Sequence, residues 1–438
     1  MLRTKYLAAI ISTAIFTCMF GIQSADDNTK RTSFVLANSL SLPFPVNETV
    51  KNEDSDFERT KKFDVTIEKF MQQWEIKGAS FALMKDGKLI YAKGYGYADE
   101  DTQEPMEVKH LFRIASVSKL ITATGIMKLV EYGILSLDDC VFGENGILNE
   151  PVFRTYKDKK FEQITIEHLL RHKGGFSARQ GDPMFFPLVV AHKMNVAPPA
   201  DLSTMIQFVL SRNLYFKPGT TYSYSNIGYG ILSKVIEKVS GMGYEDFIRE
   251  NVALPAGCFE MYMGRNFYED KYPNEVHYYQ SAVEEEILCC DGREILVPKY
   301  YGGNNIEGLV GAGAWVTSPV ELLRFLSVID GDPTIPDILQ PGTIELMTSA
   351  DKDTPIGWMS VYSDGSWVRT GSLSGSSAMM KRQSDGYSWV FLTNTSAWKG
   401  AKFTKHIDYL VSRAVQNVAQ WPEFDLFELQ NIGRFSAI

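Results

Sequence analysis

The sequence predicts a mixed α/β (α+β) chain on three observations. A hairpin signal lies near the N-terminus, helical periods fill the middle, and strands alternate with tight turns toward the C-terminus. With 438 residues, 45% of them hydrophobic and 22% charged, the composition is that of a globular protein able to build a substantial core. A net charge of −9 with no Lys/Arg-rich run argues against a nucleic-acid partner or an anionic membrane surface, because phosphate would be repelled.

In chain order, residues 1–25 carry Arg3 and Lys5, an apolar run from Leu7 to Ile22, and the small residues Ser24 and Ala25 before Asp26. This is a secretory signal peptide pattern, so export to the periplasm or the exterior is expected. The apolar run, about 16 residues, is short of the roughly 20 that a spanning helix needs, and no stable membrane span is expected after its removal. Cys18 is a lesser alternative as a lipid-attachment site, with Ile15-Phe16-Thr17 a poor match to a lipobox. Residues 26–62 are polar, lack a sustained period and read as a flexible linker.

Val65, Ile67, Phe70, Met71 and Trp74 suit an amphipathic helix, after which Ala79–Met84 and Leu89–Ala92 read as strands turned at Asp86-Gly87. Gly94-Tyr95-Gly96 lacks the third glycine of a dinucleotide fingerprint and reads as a strand end.

The stretch Phe112-Arg113-Ile114-Ala115-Ser116-Val117-Ser118-Lys119 puts a serine and a lysine one helical turn apart, at the start of an apolar-periodic helix that stops at Tyr132-Gly133. At a helix N-terminus the free N–H groups and the helix dipole favour a developing oxyanion, and Lys119 at i+3 shares the face of Ser116. Burial and a second cation would lower the lysine pKa toward that of a base.

Ile164–Leu170 forms a short helix. His168 and His172 share its spacing, but no Glu follows His168, so the zincin pattern is absent and a structural role is expected. Four prolines between 176 and 213 suggest loops around short helices. Then Lys217-Pro218-Gly219 delivers Tyr222-Ser223-Tyr224-Ser225-Asn226 into a helix over 231–239. Beside a lysine ammonium a tyrosine favours its phenolate and can take a proton, while an asparagine amide can hold a substrate carbonyl.

Residues 265–308 are acidic and tyrosine-rich, fitting either a cleft wall or a plain surface. The stretch from Gly308 to Phe325 runs from a tight glycine-rich turn into a capped helix. Strand-like runs follow at 356–361, 367–370, 377–381 and 387–392, with turns at Asp364-Gly365 and Asp385-Gly386, and a helix over 402–418. Cys140, Cys258, Cys289 and Cys290 allow three disulfide pairings, and none lies at metal-ligand spacing.

Phe112 to Lys119, with Leu129-Val130-Glu131-Tyr132-Gly133-Ile134-Leu135-Ser136-Leu137-Asp138-Asp139 after it, closely resembles the nucleophile segment of the serine β-lactamase and penicillin-binding protein superfamily. The likeness is to the branch of class C β-lactamases, D-alanyl-D-alanine peptidases and related esterases. Tyr224-Ser225-Asn226 resembles its Tyr-x-Asn element, with Tyr222 a competing register. Arg369-Thr370-Gly371-Ser372 stands where the family has Lys-Thr-Gly or His-x-Gly. The arginine keeps the positive charge and offers a fork to a substrate carboxylate, but gives up no proton at working pH.

The resemblance implies a β-lactamase/transpeptidase-like fold, an antiparallel sheet flanked by helices, made of 63–125 and 310–438, with a mostly helical domain, 126–309, inserted. It implies Ser116, Lys119 and Tyr224 as catalytic, with Asn226, Arg369, Thr370, Gly371 and Ser372 binding substrate, and the Ser116 and Ser372 N–H groups as an oxyanion hole. Neither metal nor organic cofactor is implied. The expected partner is a small molecule or cell-wall peptide, with β-lactam, D-alanyl-D-alanine and ester substrates open alternatives. A non-catalytic envelope ligand-binding protein is the reading from another class, and oligomeric state is left open.

Overall fold

The structure, a computed structural model, describes residues 49–177, 181–281, 285–349 and 354–428. The expected leader with Cys18, and the linker up to residue 48, lie outside the described residues. The rest of the expected linker is fastened down. Val50 is buried, the Asn52 side chain accepts from Gly94 N and donates to Met106 O, both at 2.8 Å, and Ser55 Oγ accepts from Ala92 N at 2.9 Å. The polar side chains that suggested a solvated spacer are here spent on backbone groups of a neighbouring strand.

Helix α1 (Lys61–Trp74) buries Phe63, Ile67, Phe70, Met71 and Trp74, the spacing of a single helical face. It leads into β1 (Gly78–Lys85) and β2 (Lys88–Asp99), turned at Asp86 and Gly87, which both have positive φ as a tight hairpin requires. Strand β2 does not stop at Gly94 but runs through it, because a Cβ there would lie 2.4 Å from the Met106 carbonyl oxygen and only glycine permits the approach. Added to these are β3 (Glu104–Pro105), β4 (Ser360–Val361), β5 (Trp367–Leu373), β6 (Ser376–Arg382) and β7 (Tyr387–Thr393). They form one seven-stranded sheet in the order β4-β5-β6-β7-β1-β2-β3. Its named pairings are antiparallel, with Ala79 opposite Thr393 and Arg369 opposite Met380.

Both sheet faces are covered, which is why β1 reads as a near-continuous apolar run and not as an alternation. On one face lie α1 and α5 (Thr404–Gln416), packed on Phe81, Leu83, Met379 and Phe391. On the other lies α4 (Pro319–Leu326), against β1 and β7, in a core that holds Ala82, Met84, Met380 and Val390 and continues through α2 (Ser118–Glu131) and α3 (Asn226–Ser240). Ser318 caps α4, its hydroxyl accepting from Glu321 N.

The strand expected over 356–361 is reduced to its last two residues. Gly357 is left-handed at φ 76°, and Ile356 and Trp358 are buried; a Cβ at Gly357 would lie 2.9 Å from Ala123 and Leu120 side chains of α2. Docking on α2 outcompetes extension. The middle of the chain holds helices, among them Pro187–Met194 and Leu202–Leu210, but also a hairpin, Glu286–Leu288 with Leu296–Pro298. Its tyrosines are neither simply wall nor surface. Arg113 is 1% exposed and lies over the Tyr278 ring at 4.3 Å, donating to Tyr300 O and to Arg265 O, so the segment is tied to the strand that leads into Ser116. The four described cysteines are free thiols, with Cys140 exposed and Cys258, Cys289 and Cys290 buried.

Candidate active site

Ser116 sits in a 3-10 turn, Ala115–Val117, directly before α2, and Ala115 holds a positive φ of 48°. A non-glycine residue in that region is uncommon, and here it aims the serine out of the helix entrance. One turn on, Lys119 is fully buried. Its Nζ donates to Ser116 Oγ at 3.2 Å, to Asn226 Oδ1 at 2.8 Å and to the Ala312 carbonyl at 2.5 Å. Burial depresses the Lys119 pKa, and the Arg369 charge adds to that, against the opposing pull of Tyr224.

Tyr224, and not Tyr222, reaches the serine: its hydroxyl donates to Ser116 Oγ at 2.8 Å. Burial alone would raise the phenol, but the Lys119 and Arg369 charges and hydrogen bonds with Lys119 and Ser116 outweigh it and bring Tyr224 down to about 8. The Tyr224 ring lies 4.4 Å from that of His172. His172 accepts from Ser225 N at 3.2 Å, and burial, then Lys119 and Arg369, hold it well below the ordinary histidine range. His168 is spent on the capping of its own short helix. The two histidines are thus used separately.

Arg369 comes from β5, whose outer edge is paired by β4 only at Trp367 and Val368 and so stands open beside the serine turn. It is 1% exposed, with Nε on Ser116 O at 2.8 Å and Nη2 3.4 Å from the Tyr224 hydroxyl. Expected as a fork for a substrate carboxylate, its guanidinium is here engaged with the Ser116 backbone carbonyl and the Tyr224 hydroxyl. Gly371 is the close approach: a Cβ there would lie 2.2 Å from Ile114 O and 3.0 Å from Ser116 N. Thr370 and Ser372 flank it on the same strand, both half-buried. A cavity of about 260 Å³ adjoins, lined by His172, Tyr222, Tyr224, Thr354, Trp358, Met359 and Arg369.

Two supports escape sequence reading. Asp182 is half-buried, and its Oδ2 accepts from Asn226 N at 2.6 Å and Ile227 N at 3.2 Å, pinning the entrance of α3 where Ser225 Oγ also accepts from Gly228 N. The Asp182-Pro183 pair signals a turn start, which it makes, but its reach to Asn226 is tertiary. The Ala312 carbonyl follows Val310, whose φ of 41° and ψ of −126° are exceptional for a β-branched residue.

A buried lysine and a lowered phenol on one serine hydroxyl are an arrangement with which a nucleophile can be activated. Residues 63–411 match the family described as Beta-lactamase. The chain belongs to the β-lactamase family. Over 204 residues this family member is 32% identical to penicillin-binding protein 4* of Bacillus subtilis, covering 46% of this chain and 41% of that protein. Protein flp of Staphylococcus aureus strain MW2 is 30% identical over 195 residues, 44% of this chain and 36% of that one. The matched stretch thus spans about two fifths of the length of these curated relatives. Among solved structures, D-amino acid amidase from Ochrobactrum anthropi superposes with a TM-score of 0.64 at 22% identity, covering 82% of this chain and 99% of that one. The octameric penicillin-binding protein homologue from Pyrococcus abyssi gives 0.58 at 24% identity, covering 80% and 77%. Both carry the β-lactamase/transpeptidase-like fold seen here, a mixed set of helices on an antiparallel sheet.

Proposed function

We propose that this β-lactamase-family hydrolase is an exported enzyme working through an acyl-serine intermediate, on β-lactam or D-alanyl-D-alanine-type amide bonds. One observation carries the reading: Ser116 Oγ lies within hydrogen-bond reach of both Lys119 Nζ and Tyr224 OH. With Tyr224 ionised beside the Lys119 and Arg369 charges, Ser116 Oγ attacks the carbonyl carbon and its proton passes to the Tyr224 phenolate oxygen. The carbonyl oxygen takes the negative charge, held by the Ser116 and Ser372 N–H groups. The tetrahedral adduct collapses, the C–N bond breaks, and the leaving nitrogen takes the proton back from the Tyr224 hydroxyl. Water then attacks the ester, giving the acid and regenerating the serine. Asn226 supports by orienting Lys119, and the 260 Å³ cavity beside Arg369 accommodates the leaving group. The leader pattern of residues 1–25 supports export.

Intact-protein mass spectrometry after exposure to a penicillin, a cephalosporin, a D-alanyl-D-alanine peptide and a short nitrophenyl ester tests this, beside Ser116→Ala. A serine-dependent adduct or turnover of the amides is expected. Turnover of the ester alone moves the assignment to an esterase, and no reaction with any of the four moves it to a ligand-binding protein of the same fold.

A further inference from the structure

The two most exposed large apolar side chains among the described residues are Trp398, at 70%, just before the 3-10 turn that leads into α5, and Tyr409, at 66%, on α5 itself. Each carries a cation. Lys399 Nζ lies 5.0 Å from the Trp398 ring centre, and the Arg413 guanidinium lies 5.2 Å from that of Tyr409, with a hydrogen bond to its hydroxyl. Trp398 is held in place by stacking on Trp74 of α1 at 6.1 Å. Lys402, Lys405, Tyr409 and Arg413 are all exposed and are spaced three, four and four apart, so they run along one side of the helical segment. Between 398 and 417 there are four Lys or Arg against Asp408 alone, and the Asp408 carboxylate is occupied by Lys381 Nζ at 2.8 Å and Ser412 Oγ at 3.0 Å. The charge on α1 beside it is mixed, with Lys61, Lys62, Glu68, Lys69 and Glu75 exposed.

We propose that this α5 face docks the protein on an anionic bilayer surface. Tryptophan and tyrosine combine an apolar body with a polar tip, which suits the headgroup layer, and exposed lysine and arginine complement acidic lipid. The net charge of −9 hides the face, since cations spaced along a helix form no run in sequence. Nor does that net charge prevent docking. A membrane's surface potential decays within a Debye length of about 8 Å at physiological ionic strength, so acidic residues on the far side of the protein scarcely feel it. A nucleic acid is the poorer fit, because its dense phosphate charge demands more cations than this stripe offers. Helix α5 covers the sheet face opposite α2, so a docked molecule holds Ser116 on the side away from the lipid. Docking is independent of the acyl-serine chemistry.

The test is cosedimentation of the full-length chain with vesicles of phosphatidylcholine alone or with phosphatidylglycerol, using Lys402→Glu/Lys405→Glu and, separately, Trp398→Ser. Far-UV circular dichroism checks that each variant is folded. The expected result is retention that depends on phosphatidylglycerol, weakens with salt, and drops about tenfold or more in the double variant and severalfold in Trp398→Ser. The apolar leader is common to wild type and variants, so the difference between them reads the face. Equal retention on both vesicle types, retention unchanged by either variant, or preference for duplex DNA over the acidic vesicles would overturn the proposal.

Discussion

Arg369 Nε donates to the Ser116 carbonyl at 2.8 Å, so the strand β5 cation grips the backbone of the serine that the fold presents. The same guanidinium reaches toward the Tyr224 hydroxyl at 3.4 Å. One side chain thus fixes the nucleophile's position and lowers its neighbour's affinity for a proton.

With Tyr224 as proton acceptor, kcat/KM falls on the acid side of its pKa of about 8. Removing the Arg369 charge lets burial prevail and raises that pKa, so the phenolate fraction at a given pH falls. Arg369→Ala is expected to move the acid limb of the kcat/KM profile to higher pH, and activity at neutral pH drops about tenfold for each unit moved. Arg369→Lys keeps the charge and shifts the limb less. An unmoved limb in Arg369→Ala means that Tyr224 is not the group titrating.

Gly371→Ala introduces a methyl 2.2 Å from Ile114 O, a backbone atom that cannot swing aside. Either β5 or the serine turn has to retreat. The acylation rate is expected to fall about 100-fold, the scale of a misplacement near 1 Å. Stopped-flow acylation reads it, and a rate equal to wild type removes the close approach from the mechanism.

Asp182→Ala removes the one carboxylate oxygen, Oδ2, that accepts from both Asn226 N and Ile227 N at the entrance of α3. A lost cap with buried donors left behind costs about 2 kcal/mol. Urea unfolding should show it as a lowered midpoint at unchanged slope, with Asp182→Asn falling between wild type and Ala.

Burial raises the Glu321 carboxyl from 4.5 to about 8, against the attraction of Arg324. The folded state therefore holds a proton that the unfolded state releases above pH 4.5. This contribution is complete below pH 4.5 and is lost as pH rises to about 8, at about 1.4 kcal/mol per unit. Glu321→Gln keeps an oxygen acceptor for Phe259 N and removes the titration. Its stability relative to wild type should rise between pH 5 and 8, measured by denaturant unfolding across that range; parallel curves would contradict the assignment.

The hairpin at Asp86-Gly87, the amphipathic α1 and the strand rhythm after residue 360 were legible because each is written in local periodicity and turn chemistry. Ser116, Lys119, Tyr224 and Asn226 were legible because their spacings are short and recognisable. What escaped depended on distant partners. Asn52 looks like spacer until the β2 edge is beside it, and Ile356 looks like strand until α2 offers Gly357 a seat. Arg369 was read as a substrate ligand because its sequence neighbours do not reveal that Ser116 O and the Tyr224 hydroxyl already meet it. The cationic side of α5 escaped for a different reason, since net charge averages over faces that never see one another.

The pairing of β1 with β7 joins Ala79 to Thr393, and the guanidinium behind Ser116 arrives only at residue 369. A growing chain that has passed residue 300 has already made its serine, lysine and tyrosine, yet it lacks the strand that braces them and the cation that tunes the phenol. Such long-range closure is slow relative to local helix formation. The contacts that hold Ser116 from behind therefore close only when the last strands of the chain have been delivered.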